Sequence, residues 1–259
     1  MTYLSIQKKS GYALVTFNKP ETLNALNTGV LREISATVKE LEQDATIRVL
    51  LWTGAGKAFI AGADISEMKD LGPKEAFGFA SLAHEAFGSV ANSDLVSVAL
   101  VGGFALGGGL EFALSCDIRY ASSQAKLGLP ETGLGLIPGF GGTQRLLRAT
   151  NLGIASEWIF SGRIYTADEA LAVGVLQKVL PPEQLLSEGE ALAEAILTKG
   201  PQAVLLAKSS LQRGGQVSLT EGIRIEQEAF ASVFGKPESK EGLGSFLEKR
   251  KPQFPKERT

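Results

Sequence analysis

The sequence predicts an α/β fold around a parallel sheet, followed by a mostly helical C-terminal region. Three observations carry this expectation. Strand-like and helix-like segments alternate through the first half of the chain. Two of the strands, IRVLLWT from Ile47 and VSVALV from Val96, are continuous apolar runs of the kind buried on both faces. From about Pro182 onward nearly every segment reads as helix.

Taken in order, YLSIQKK from Tyr3 and YALVTF from Tyr12 flank Ser10-Gly11, which reads as a hairpin turn. Val30, Leu31, Ile34, Val38 and Leu41 fall at helical spacing and predict a helix from Thr28 to Gln43. The strand from Ile47 follows, then a helix over roughly Pro73 to Ala91, then the strand from Val96. Strand, helix, strand, helix in that order implies parallel pairing through crossovers. In the second half, Thr166-x-x-Glu169 and Ser218-x-x-Glu221 are capping-box patterns, each opening a helix. Pro182 and Pro201 mark the starts of two more helices, the second ending at Gly214-Gly215.

Composition bounds the function. A chain of 259 residues with 44% hydrophobic and 21% charged residues supports one sizeable core. A formal charge of -2 argues against a nucleic-acid-binding surface. The single cysteine, Cys116, excludes an internal disulfide and fits a reducing compartment. The N-terminus MTYLSIQKKSG has no apolar signal core, and the longest uncharged run, Leu95 to Leu110, is 16 glycine-rich residues, short for a membrane span. A cytoplasmic location and no membrane partner are the expectation.

The stretch Ala105 to Leu114, ALGGGLEFAL, sets three glycines before a helical apolar run that one carboxylate, Glu111, interrupts. Neither this cluster, nor Gly102-Gly103, nor Gly139-Phe140-Gly141-Gly142 has the i, i+2, i+5 spacing of a dinucleotide fingerprint, and no P-loop lysine follows. Glycines of this kind often serve only close packing of strand on helix. Here they fall between a buried strand and a helix start, where free N–H groups favour developing negative charge. AFIAGADI, Ala58 to Ile65, follows the other buried strand similarly, so two loops could offer two N–H donors to one oxygen. Glu111 lies one helical turn beyond Gly108. Twenty residues later Glu131 sits in the loop GLPETG, and two carboxylates facing one site are the minimum for acid/base work with opposite roles. The plainer alternative is a surface Glu131 and a salt-bridged Glu111.

Five blocks then carry a resemblance: NKPETLNALN from Asn18, GKAFIAGADISEM from Gly56, ALGGGLEFALSCDIRYA from Ala105, KLGLPETGLGLIPGFGGTQRL from Lys126 and EGLGSFLEKRKPQF from Glu241. In order and over essentially the whole chain, they are similar to the crotonase superfamily and, within it, to the enoyl-CoA hydratase/isomerase family. The resemblance implies a spiral of repeated ββα units over residues 1–195 and a helical trimerisation region over 196–259, with trimers stacking into hexamers. It implies an acyl-CoA thioester as substrate, with CoA entering as part of it, and no metal or redox cofactor. It assigns the thioester oxygen to the N–H groups of Ala63 and Gly108. Leu23, Ala25, Ala61, Asp64 and Ile65 would line the CoA side, and Glu111 and Glu131 would handle water and proton. The implied reaction is hydration of a trans-2-enoyl-CoA, as in fatty-acid β-oxidation. An isomerase of the same fold and a non-catalytic acyl-CoA- or RNA-binding relative are the alternatives. Relatives usually carry a proline near Ser97 and an asparagine at Gly102, outside the chemistry.

Other residues are set aside. His84, the only histidine, sits in a helical stretch without zinc spacing, and Cys116 reads as a small buried hydrophobe. Lys249, Arg250 and Lys251 either complement a helix C-terminus or, as the resemblance implies, contact CoA phosphates, with Lys249 the candidate binding residue.

Overall fold

The computed structural model describes residues 2–258. Strands β1 (Leu4–Lys8) and β2 (Tyr12–Phe17) form the expected antiparallel hairpin, with Gly11 at φ +91 in the turn. Helix α1 (Thr28–Gln43) is capped by Asn27, whose side chain accepts from the Val30 N–H at 2.9 Å. It buries the five apolar positions that its spacing picks out.

The chain then repeats one unit. Strand β3 (Val49–Gly54) is followed by the short strand β4 (Ala58–Ile60), then helices α2 (Ile65–Met68) and α3 (Pro73–Ala91). The next turn is β5 (Val96–Val101), β6 (Phe104–Leu106) and α4 (Gly108–Ala113). A third begins with β7 (Ile118–Ser122) and β8 (Lys126–Gly128) and runs through a 3-10 turn, Pro130–Leu134, into α5 (Gly142–Ala149) and α6 (Leu152–Ser161). Then come β9 (Tyr165–Thr166), α7 (Ala167–Ala172) and β10 (Lys178–Leu180).

Successive turns lie side by side. The first strand of each joins a six-stranded sheet ordered β1-β2-β3-β5-β7-β10, parallel from β2 onward. The second strand of each joins a smaller sheet, β4-β6-β8-β9. This is the expected spiral of ββα units. The sequence reading missed the second strand of each turn. AFI of AFIAGADI is itself β4 rather than a loop, and FAL of the glycine stretch is β6. Strands of two or three residues are too short to show a period.

The large sheet is buried on both faces, which explains its continuous apolar runs. Tyr12, Leu14, Val49, Leu51, Val98 and Leu100 pack under α8 (Leu185–Leu197). Ala13, Val15, Phe17, Leu50 and Trp52 point the other way, into the main core with α1, α3 and the second sheet. Phe112 of α4 sits at the centre of that core, with ring centroids 5.1 Å from Phe17 and Trp52 and 5.3 Å from Phe87.

Helices α9 (Pro201–Gly214), α10 (Leu219–Val233) and α11 (Pro237–Leu247) complete the chain. Buried Lys208 ties α9 to the sheet through the Leu95 carbonyl at 2.7 Å and Asp117 at 2.9 Å. The Thr166 capping box forms as expected. The Ser218 box forms only by half: Ser218 accepts from the Glu221 N–H, but the Glu221 carboxylate turns to Arg224. No helix among the described residues is long and apolar enough to cross a membrane.

Candidate active site

The ends of β4, β6 and β8 converge on one cavity of about 340 Å³. It is lined by Ala61, Gly62, Ala63 and Ile65 after β4, Gly107, Gly108 and Glu111 after β6, and Pro130 and Glu131 after β8. Met68, Ala76 and Phe79 from α2 and α3, with Leu134, Leu136, Ile137 and Phe140, supply apolar walls that sequence reasoning did not assign.

Backbone geometry leaves two N–H groups free here. Leu26 makes an isolated parallel bridge with Ala63, donating to the Gly62 carbonyl at 2.9 Å and accepting from the Asp64 N–H at 2.8 Å. A parallel bridge uses the groups flanking its partner, so the Ala63 N–H points away from Leu26. Gly108 is the first residue of α4, and its N–H has no helical acceptor. Among the described residues neither N–H donates to a protein acceptor.

The glycines make this approach possible. Gly107 adopts φ +51, and a Cβ there would come 2.8 Å from a Glu131 carboxylate oxygen. At Gly109 a Cβ would meet the Ile60 carbonyl oxygen at 1.9 Å, so α4 rests directly on the end of β4.

Glu111 is 1% exposed, and α4 carries no cation of its own. One carboxylate oxygen accepts from the N–H of Phe140 at 2.8 Å and of Gly142 at 2.7 Å. Burial pushes its pKa up to about 7; the two N–H donors oppose that rise, and the Glu131 charge adds to it. Glu131 sits in the 3-10 turn, half-buried, with its pKa also raised by burial. Its Oε2 is buried and has no hydrogen-bond partner. The alternative of a salt-bridged Glu111 is thereby set aside: its direct partners are backbone N–H groups.

The remaining candidates divide. Ala61, Ala63, Ile65, Gly108, Glu111 and Glu131 line one cavity. Leu23, Ala25, Asp64 and Lys249 do not line it. Leu23 lies beside the rim, its carbonyl accepting from the Ala61 N–H at 3.1 Å. That register is held by Asn24, whose buried amide donates to the carbonyls of Ala55, Ala58 and Phe59. Asp64 caps α2 through the Ser66 N–H at 2.9 Å. Lys249 follows α11 with φ +54, while Arg250 beside it pairs with Glu241 and Glu248. His84 is exposed, and no metal-binding cluster of His, Cys, Asp or Glu occurs among the described residues. Cys116 is buried and its thiol is pushed up to about 12, which makes it a poor nucleophile.

The family model for enoyl-CoA hydratase/isomerase matches residues 7–257. The chain belongs to the enoyl-CoA hydratase/isomerase family. It is 43% identical over 247 residues to a short-chain-enoyl-CoA hydratase of Clostridium acetobutylicum, covering 95% of each chain. It is 42% identical over 250 residues to a crotonyl-CoA hydratase of Syntrophomonas wolfei, covering 96% of each. Among solved structures, an enoyl-CoA hydratase from Bacillus anthracis superposes with a TM-score of 0.95 at 36% identity, over 99% of this chain and 100% of that one. For an enoyl-CoA hydratase/isomerase family member, the two free N–H groups and two carboxylates around one cavity are the features with chemical meaning.

Proposed function

We propose that this protein is an enoyl-CoA hydratase that adds water across the 2,3 double bond of a trans-2-enoyl-CoA to give the 3-hydroxyacyl-CoA. The observation that carries the reading is the pair of carboxylates, buried Glu111 and half-buried Glu131, facing one cavity that also receives the Ala63 and Gly108 N–H groups. Near-full-length similarity to proteins named for enoyl-CoA hydration supports the substrate class.

The thioester oxygen accepts from the two N–H groups, which withdraws electron density from the double bond and makes C3 electrophilic. Glu111 takes a proton from the attacking water, and Glu131 in its protonated form delivers one to C2. The charge that develops meanwhile sits on the enolate oxygen, where each N–H donor is worth roughly 2.7–4 kcal/mol. Two N–H donors favour the charged form of Glu111, as a base needs. The reaction moves only water and protons, so it calls on no metal or redox group. Leu23, Ala25 and Asp64 flank the CoA side, and Lys249 is assigned to the CoA phosphates.

The protein is further proposed to be a cytoplasmic enzyme of β-oxidation type that works as a trimer or a stacked pair of trimers. Support for assembly comes from the apolar surface a single chain leaves bare: Leu211, Leu219, Phe230 and Phe246 are each at least 65% exposed on α9, α10 and α11.

The deciding assay supplies crotonyl-CoA in oxygen-18-labelled water. Label at C3 of the product is expected. A protein that incorporates none, yet shifts the double bond of a 3-enoyl-CoA, would be an isomerase instead.

A further inference from the structure

We propose that Arg145 is a positioning residue that holds the loop 139–142 around Glu111 and, by its charge, favours the ionised form that Glu111 needs as the base; this rests on the hydratase reading above. Arg145 does not line the substrate cavity. It approaches the loop from the other side, where it borders a separate cleft of about 750 Å³ between α5 and α9. Its guanidinium Nη1 donates to the Phe140 carbonyl at 2.8 Å. The Phe140 N–H donates in turn to Glu111, and so does the Gly142 N–H two residues on. One side chain therefore fixes the carbonyl that lies between the two donors.

The loop packs closely against both side chains. Gly141 adopts φ +106, and a Cβ there would meet Arg145 Nη1 at 2.3 Å. A Cβ at Gly142 would meet the bonded Glu111 oxygen at 2.9 Å. The two glycines are thus pressed between the guanidinium on one side and the carboxylate on the other. Alternating left-handed and helical backbone with convergent N–H groups is an anion-binding concavity, and this one opens the N-terminus of α5.

The charges facing Glu111 can be counted element by element. Glu131 approaches from the 3-10 turn and pushes its pKa up, and Arg145 from α5 pulls it down. His84 of α3 lies on the Gly141 side of the loop, its ring 3.7 Å from where a Cβ would stand. Cys116 beyond α4 is neutral, and Asp117 is paired with Lys208. Among the described residues, Arg145 is the permanent cation whose charge reaches Glu111 in this arrangement.

The test uses Arg145→Met, Arg145→Gln and Arg145→Lys in the full-length protein. Both uncharged variants are expected to move the acid limb of the kcat/KM profile for crotonyl-CoA upward by roughly one pH unit, as loss of a nearby opposite charge does. At a pH below that limb kcat then falls roughly tenfold with KM little changed, and Arg145→Lys restores most of the limb position. A second readout needs no turnover: infrared titration of the protonated carboxyl band that disappears in Glu111→Gln should show the same upward shift. A limb and a band that stay in place in a folded uncharged variant would overturn the proposal. Wild-type protein that fails to hydrate while the band still shifts would instead refute the hydratase reading and leave the role of Arg145 standing.

Discussion

Replacing Glu111 by Gln should stabilise the protein at high pH and leave it nearly unchanged at low pH. Gln keeps an oxygen to accept from the Phe140 and Gly142 N–H groups but carries no charge. In the folded chain the Glu111 pKa rises from its ordinary 4.5 to about 7, chiefly because burial penalises the charge. A carboxyl that holds its proton more tightly when folded favours the fold below its unfolded pKa, and that advantage is lost as pH rises through the folded one. The displacement is worth about 3 kcal/mol, most of which falls between pH 5 and pH 8. Urea unfolding of wild type and Glu111→Gln at both pH values, at one subunit concentration, measures it. The expected result is a stability difference that grows in favour of the variant by about 2 kcal/mol from pH 5 to pH 8. Titrating groups common to both proteins largely cancel in that difference. A gap that does not change with pH would show that Glu111 is not the buried acid described here, and would remove the electrostatic basis for its role as a base.

Two further outcomes can be checked. Gly108→Pro deletes the proposed oxyanion donor at a helix N1 position that tolerates proline, so turnover should fall by at least about a hundredfold. Gly108→Ala keeps the N–H and only crowds the Leu26 and Phe140 side chains at 3.0 and 3.1 Å, so it should retain most activity; equal losses in the two folded variants would make Gly108 a packing glycine. Sedimentation at micromolar concentration should show a trimer or larger species, and a stable monomer would contradict the assembly proposed for α9–α11.

Much of the architecture was legible because long elements declare their period. The bounds of α1 and α3 and the position of β5 follow from apolar spacing and flanking proline or turn residues. The second sheet was not legible. Its strands have two or three residues each and are specified by where neighbouring turns of the spiral stack. Glu111 announced itself as a lone carboxylate inside an apolar run. The residues that hold it did not. Phe140 and Gly142 act through backbone N–H groups, which every residue but proline has, and Arg145 looks like any helix-surface cation until the loop folds against it. Buried Arg48 was equally silent: its guanidinium donates to the carbonyls of Ile196, Leu197 and Lys199 at the end of α8, nearly 150 positions away. The only hint of the loop's role was the density of glycine in PGFGGTQR.

The two carboxylates are held in different ways, and the difference matches the duties assigned to them in the proposed reaction. Glu111 is carried by a helix whose next residue, Phe112, is locked in the aromatic centre of the core, and one of its oxygens is fixed by two N–H donors. Such a group can hold a charge in one place, which is what aiming a water at C3 requires. Glu131 rides on a 3-10 turn anchored next door by the Thr132 hydroxyl, which donates to the Ile159 carbonyl at 2.9 Å, and it keeps one buried oxygen without a partner. A protonated carboxyl with one oxygen left unpartnered can give its proton to C2 and take it back. Burial makes both charges costly, and each raises the cost of ionising the other where they meet, as the Glu131 charge does for Glu111. The N–H pair on Glu111, with no counterpart on Glu131 Oε2, breaks that symmetry and favours Glu111 as the base, against the rise that its deeper burial imposes.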